Sequence, residues 1–301
     1  MHPYSIVIPT RNRAELLNKL LAEVNFEEPD LVEVIVVDSS NFAIQPLVNE
    51  PKIKYIHTAI KSAATQRNIG INNLKKIVQH VFFVDDDVIL PKNYFKQLNK
   101  CLSENETVGV SGIAKNYNEN SVRTKPRGFS GLYRRIFLLD SKRDGALLSS
   151  AINIPVRCKN NSTGPVVDAE WIIGCSAWKS SVFDELRFED KFKGQSLGED
   201  VLFSNKAQKK GKLKVDTTVI MNHLESEIER PNLQNFYLMW VSNRYEISNQ
   251  LDLSYFNASF HWANLGKSII TLIRWDIERE NRKSIIKGIF AGYREVYFGI
   301  K

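Results

Sequence analysis

Cysteine is scarce in this 301-residue chain: Cys101, Cys158 and Cys175 are odd in number, widely spaced and never in a CxxC pair. They build neither a disulfide framework nor a cysteine zinc site, and a reducing cytoplasm is the compartment they fit. No uninterrupted apolar stretch approaches the roughly 18 residues that a membrane-spanning helix needs. The start, Met1-His2-Pro3-Tyr4-Ser5-Ile6, has no charged region ahead of a long apolar one, so no signal peptide is expected. No GxGxxG follows the first predicted strand, which disfavours a dehydrogenase-type dinucleotide fold, and no GxxxxGKS/T is present, which removes P-loop NTPases. Zinc-finger spacing and RNP-like aromatic motifs are also missing, so nucleic acid is not an expected partner.

What is present is a 43% hydrophobic chain with a formal charge of +7 and a pI near 9.1. That length and apolar content suit one large domain or one domain plus an appendage. The positive charge favours anionic partners, phosphates and a membrane surface above all. The first half alternates strand and helix patterns. Ser5–Pro9, Val32–Val37, Lys54–His57 and Val81–Val84 read as strands, and helices are expected over 13–24, 63–78 and after Pro91. Such alternation predicts an α/β fold, a mostly parallel sheet flanked by helices. A strand near Leu213–Met221 follows a lysine-rich helix, and the chain beyond Asn232 reads as wholly helical. We expect a catalytic domain over 1–228, a basic loop over 114–167 carrying Arg123, Lys125, Arg127, Arg134, Arg135, Lys142 and Arg143, and a helical region over 229–301.

Ligands of parallel α/β sheets bind beyond the carboxyl ends of the strands. Three polar clusters fall there: Thr10-Arg11-Asn12-Arg13, Asp38-Ser39-Ser40 and Asp85-Asp86-Asp87. At about 3.3 Å rise per residue with alternating side chains, Asp85 and Asp87 are expected to point the same way about 6.6 Å apart. That spacing suits a hard divalent cation bridging to a diphosphate. An acid cluster capping a helix is the competing reading. Glu199-Asp200 opens a predicted helix and is open to the same two interpretations.

Read in order, several segments resemble the family 2 glycosyltransferases. They are Val7-Ile8-Pro9-Thr10-Arg11-Asn12-Arg13, Val36-Val37-Asp38-Ser39-Ser40, Ala63-Ala64-Thr65-Gln66-Arg67-Asn68-Ile69-Gly70 and Asp85-Asp86-Asp87. Gly174-Cys175-Ser176-Ala177 with Trp178, and Gly198-Glu199-Asp200 with downstream His223, complete the set. The resemblance covers roughly residues 4–225 and implies a GT-A fold. Ser62, Thr65 and Trp178-Lys179 depart from the common pattern, which bears on sugar identity rather than fold.

The resemblance implies an inverting, metal-dependent transfer from a UDP- or dTDP-sugar to a saccharide or lipid-linked saccharide acceptor, as in bacterial surface-polysaccharide synthesis. It implies that Asp38 accepts from the imide N–H of the base, with Pro9, Thr10 and Arg13 lining that pocket and Arg67 near base or phosphate. Asp85 goes to the ribose side with Asp86 beside it, and Asp87 with His223 hold Mn²⁺ or Mg²⁺. Asp200 becomes the general base, with Glu199 expected to raise its pKa. Asp168, Trp171, Gly174 and Glu199 are expected near the sugar or acceptor.

The C-terminal region carries Leu233, Phe236, Tyr237, Trp240 and Tyr245, then Ile285, Ile286, Ile289, Phe290, Tyr293, Val296 and Tyr297 at near-helical spacing, with Lys283, Lys287 and Arg294. These helices can lie on an anionic bilayer, pack on the catalytic domain or form a homo-oligomer. The expected protein is cytoplasmic, peripheral at the inner face of the membrane. A nucleotidyltransferase that makes nucleotide sugars and a non-catalytic saccharide-binding relative are the competing functions.

Overall fold

The computed structural model describes residues 2–44, 46, 48–116, 126, 128–157, 165–192, 196–224 and 231–299. Arg123, Lys125, Arg127 and Cys158 lie outside the described residues. Contacts divide the chain into two units, residues 1–124 with 156–229, and residues 125–155 with 230–301.

In the first unit β1 (Tyr4–Thr10), β2 (Leu31–Asp38), β3 (Ile53–His57) and β4 (His80–Phe83) form a parallel run in the order β3-β2-β1-β4. The sheet continues through β8 (Ser176–Lys179), β6 (Thr107–Asn116) and β9 (Lys212–His223), with β5 (Val88–Ile89) and β7 (Val166–Ala169) both pairing β9. β8 is antiparallel to β4 and to β6, whereas β6 and β9 are parallel, so β9 ends on the same edge as β1, β2 and β4.

Successive side chains of a strand face opposite sides, and both sides here are buried. Ile6, Ile8, Val34, Val36 and Phe82 meet Leu17, Leu20 and Leu21 of α1 (Ala14–Glu23) and Tyr94, Leu98 and Leu102 of α3 (Tyr94–Leu102). Val7, Ile35, Val37, Val81 and Phe83 meet Ala64 and Ile71 of α2 (Ala63–Asn72) and Phe203 and Ala207 of α5 (Glu199–Ala207). Each fully buried Leu, Ile, Val or Phe contributes about 1.5–3 kcal/mol, which makes these two layers the main source of the unit's stability.

Three local expectations change. α2 ends at Asn72, six residues before the expected end, and Ile77 beyond it is exposed. Its start is fixed by Ser62, whose hydroxyl accepts from Thr65 N at 3.3 Å, so one departure from the family pattern is an N-cap. β6 falls where the sequence gives little strand signal, because Gly109 and Gly112 interrupt its apolar pattern. Both glycines are steric necessities: a Cβ at Gly109 would sit 2.6 Å from the Trp178 ring and one at Gly112 would sit 2.3 Å from Val219 O. Finally, Gly128–Ile136 inside the expected basic loop is a helix, α4, whose Tyr133, with Phe137 just beyond its end, joins a small core with Leu139, Ile152 and Ala263.

The second unit also contains α6 (Leu233–Leu251), α7 (Phe256–Ile273) and α8 (Arg279–Phe298). α8 buries Ile285, Gly288, Ile289 and Gly292. Gly288 and Gly292 let it approach α6 closely, since a Cβ at either would lie within 3 Å of Gln234 O or the Val241 side chain. Of the apolar set read on α8, Ile285 and Ile289 are buried, while Phe290 and Tyr297 are exposed. Among the described residues no helix is long and apolar enough to cross a membrane.

Replacing Gly112 by alanine pushes a methyl into a backbone carbonyl that cannot rotate away. We expect a loss of about 2–3 kcal/mol in urea unfolding, whereas alanine at exposed Gly128, where nothing lies within 4 Å, should cost about 1–2 kcal/mol from its positive φ alone.

Candidate functional site

β4 ends at Phe83, and Asp86 and Asp87 sit in a turn before β5. The three acids are therefore not alternating strand residues, and the expectation that Asp85 and Asp87 share one direction does not hold. Two arginines and His223 divide them instead. Arg13 Nη1 lies 2.9 Å from Asp86 Oδ1 and 3.1 Å from Asp87 Oδ2, and Thr10 Oγ1 donates to Asp86 Oδ2 at 2.6 Å. Arg67 Nη2 lies 2.9 Å from Asp85 Oδ1, while its Nη1 pairs with Glu199 Oε1. His223 Nε2 lies 3.3 Å from Asp87 Oδ1, positioned by the β5–β9 pairing that sets His223 opposite Val88.

Burial raises the Asp86 carboxyl to about 6, against the opposing pull of Arg13 and the Thr10 hydrogen bond. Asp200 is likewise pushed up to about 6. Desolvation is the main cause, the charge of Asp85 adds to it, and the Val201 N–H donated to Asp200 Oδ1 at 2.8 Å and the Arg67 charge oppose it. The adjacent Glu199, expected to do this, is instead turned into the Arg67 ion pair, leaving its buried Oε2 without a hydrogen-bond partner.

Gly174 closes the arrangement from the β8 side. A Cβ there would lie 2.8 Å from Arg67 Nη2 and 3.7 Å from Asp85 Oδ2, so glycine is what allows that ion pair its room. The following Cys175 is buried, and its Sγ accepts from Asp85 N at 3.3 Å.

Asp38 occupies the expected strand end but has no exposed surface. Oδ1 accepts from Ser40 N at 2.7 Å and from the Ser40 hydroxyl, and Oδ2 accepts from Ile44 N at 2.9 Å and Tyr55 OH at 2.5 Å. In this conformation Asp38 organises the loop after β2. Pro9 is buried in β1 opposite Val37. Gln66 Nε2 donates to Thr10 O and Val37 O at 2.8 and 2.6 Å, tying the ends of β1 and β2 together.

Trp171 is buried. Asp168 is exposed on β7 opposite Lys214, nine residues back along β9 from His223, and is not brought to the cluster. Tyr55, Gln66 and Cys175 are supports that spacing alone does not single out. Gln66 and Cys175 lie within segments that carry the family resemblance, whereas nothing in the sequence pointed to Tyr55.

Among the described residues no group of three His, Cys, Asp or Glu is arranged to hold a metal. Asp87 Oδ1 and His223 Nε2 do fit one as a pair. Adjacent ligands of an octahedral ion with bonds of about 2.1 Å lie about 3 Å apart, and such ions commonly take only one or two protein ligands plus phosphates and water. A carboxylate with an imidazole suits Mn²⁺ better than Mg²⁺.

The sequence profile described as Glycosyl transferase family 2 matches residues 5–162, half of the chain. No curated protein sequence matches. Among solved structures the chain is similar to S. aureus TarS 1-349 (15% identity, 98% of this chain and 81% of that chain, TM-score 0.51) and to the same protein in complex with UDP-GlcNAc (14%, 98% and 81%, 0.53). It is also similar to GalNAc-T7 with UDP, GalNAc and Mn2+ (14%, 88% of this chain and 55% of that chain, 0.56). At such identities the likeness speaks for the fold.

A carboxyl whose folded pKa lies above its unfolded value stabilises the protein below about pH 4, and that contribution is lost as pH rises through about 6. Asp200→Asn should therefore raise stability by about 2 kcal/mol at pH 7.5 and by little at pH 4, as read by urea unfolding at both pH values.

Proposed function

Because the chain belongs to glycosyl transferase family 2, we propose that it is an inverting, metal-dependent glycosyltransferase drawing on a UDP- or dTDP-sugar. The observation that carries this reading is the gathering of acids at one edge of the sheet, where Arg67 joins Asp85 to Glu199, the neighbour of Asp200, and His223 meets Asp87. The GT-A-like neighbours, one bound to UDP-GlcNAc and one to UDP and Mn2+, support a nucleotide-sugar donor.

Asp87 and His223 would hold Mn²⁺ or Mg²⁺. A cation there supplies Lewis-acid neutralisation of the charge that develops on the departing diphosphate. Thr10 and Arg13 fix the turn that presents Asp87. Asp85 and Arg67 lie on the ribose and phosphate side, and Asp38 shapes the base pocket by holding the loop after β2. Gly174 admits the close approach, and Trp171 supports the segment leading to it.

Asp200 acts as the base. It takes the proton from an acceptor hydroxyl as that oxygen bonds to the anomeric carbon, and the bond from that carbon to the diphosphate oxygen breaks on the opposite face. One displacement inverts the anomeric centre and leaves the nucleoside diphosphate. A base with a pKa of about 6 is largely ionised at neutral pH yet basic enough to accept a proton in the transition state. The acceptor we assign is a saccharide, free or lipid-linked.

Transfer by the native chain should rise with pH through about 6 and then level off, and Asp200→Asn should lower turnover by at least a hundredfold while UDP binding stays within threefold. Near-normal turnover of that variant moves the base elsewhere. His223→Ala should weaken Mn²⁺-dependent UDP binding in calorimetry by about tenfold, with little effect on metal-free binding.

A further inference from the structure

The two units divide the charge unevenly. Residues 125–155 and 230–301 hold 16 Lys and Arg against 8 Asp and Glu, a net of +8, and the remaining residues hold 25 against 26, a net of −1. The whole positive surplus lies in about a third of the chain. Among the described residues, that same third holds 12 of the 15 large hydrophobic side chains that stand exposed, Trp275 being 90% exposed. A solvated helical appendage would be expected to hide its aromatics while displaying its charge; this one displays both.

The apolar groups are ordered. On α4, Phe129, Leu132 and Ile136 are exposed at spacings of three and four, one face of a helix. On α7, Trp262, Leu265 and Leu272 are exposed at spacings of three and seven. The two faces adjoin. Trp262 stacks on Phe137 with ring centroids 4.6 Å apart and donates Nε1–H to Ile136 O at 2.7 Å, and Tyr133 OH donates to Gly266 O at 2.8 Å.

α8 supplies the cations. Lys283, Lys287, Phe290, Arg294 and Tyr297 recur at spacings of four and three and are all exposed, so bases alternate with aromatic rings along one stripe. Tyr297 bonds and stacks on His261, the neighbour of Trp262, which brings this stripe alongside α7.

We propose that the α4–α7 face, with the α8 stripe beside it, docks on an anionic lipid bilayer, the apolar side chains entering the headgroup region and the lysines and arginine meeting lipid phosphates. Charge complementarity selects the occupant. A second copy of the chain would bring +8 against +8, while an anionic leaflet attracts each cation near its surface and accepts aromatic rings at its boundary. The proposal stands apart from the donor and base assignments, since vesicle binding is read without turnover.

The test is flotation of the full chain with phosphatidylcholine vesicles, with and without about one third phosphatidylglycerol. We expect binding to the anionic vesicles, little to the neutral ones, and weakening as salt is raised from about 0.15 to 0.5 M. Lys283→Gln with Lys287→Gln should lower the partition about 25-fold, fivefold per cation. Leu132→Ser with Leu265→Ser should lower it at least tenfold, with the far-UV circular dichroism spectrum and a cooperative thermal transition retained as evidence of an intact fold. A native chain that stays off anionic vesicles overturns the proposal. So does a dimer, measured by light scattering, that the serine pair dissolves while vesicle binding persists, because the face then belongs to a second copy.

Discussion

Three consecutive carboxylates at the tip of a strand buried on both faces are tolerable only because two arginines meet them there. An uncompensated buried charge costs several kcal/mol, and burial has already moved Asp86 to about 6 in the presence of Arg13. Arg13 precedes α1 and spans Asp86 and Asp87, and Arg67 lies in α2 and spans Asp85 and Glu199. The same contacts that settle the acids therefore fix the end of β1, the helix α2 and the start of α5 relative to one another. Removing either guanidinium leaves two acids short of a partner, so these arginines act on the whole sheet edge rather than on a single bond.

That arrangement also divides the carboxylates by duty. Asp85, Asp86 and Glu199 are committed to arginines, and Asp87 is shared between Arg13 and His223. Asp200 differs: its nearest donor is the backbone of its own helix, and desolvation rather than an ion pair sets its pKa. A group held that way keeps basicity and can exchange a proton. Neighbouring acids on one helix turn are thus held differently, Glu199 in an ion pair with Arg67 and Asp200 by the backbone of its own helix.

Much of this was legible in the sequence where polar residues interrupt apolar strands. Thr10, Arg13, Asp38 and Asp85–Asp87 announce the ends of β1, β2 and β4 because such residues are costly anywhere else in a doubly covered sheet. What was not legible follows from contacts between distant segments. The pairing of Arg67 with Glu199 joins residues 132 positions apart, and the Tyr55 hydroxyl that saturates Asp38 comes from β3. β6 was hidden by glycines whose purpose, clearance for Trp178 and for the Val219 carbonyl, exists only in the folded sheet. On α8, helical spacing correctly marked a helix but not which residues face inward, because Gly288 and Gly292 rather than the aromatic residues make its closest approach to α6.

The separation of charge between the units has a physical logic of its own. In the first unit Arg13 and Arg67 already meet the acids gathered at the sheet edge. Spreading eight more positive charges over the same surface would compete with those arginines for Asp85, Asp86 and Asp87 and would lower the pKa on which Asp200 depends. Placing the surplus on a separate helical unit, alongside side chains that water solvates poorly, gives an anionic surface something to attract without disturbing the site. The near-neutral sheet unit and the +8 helical unit are, in that sense, solutions to two electrostatic problems that one surface could not solve together.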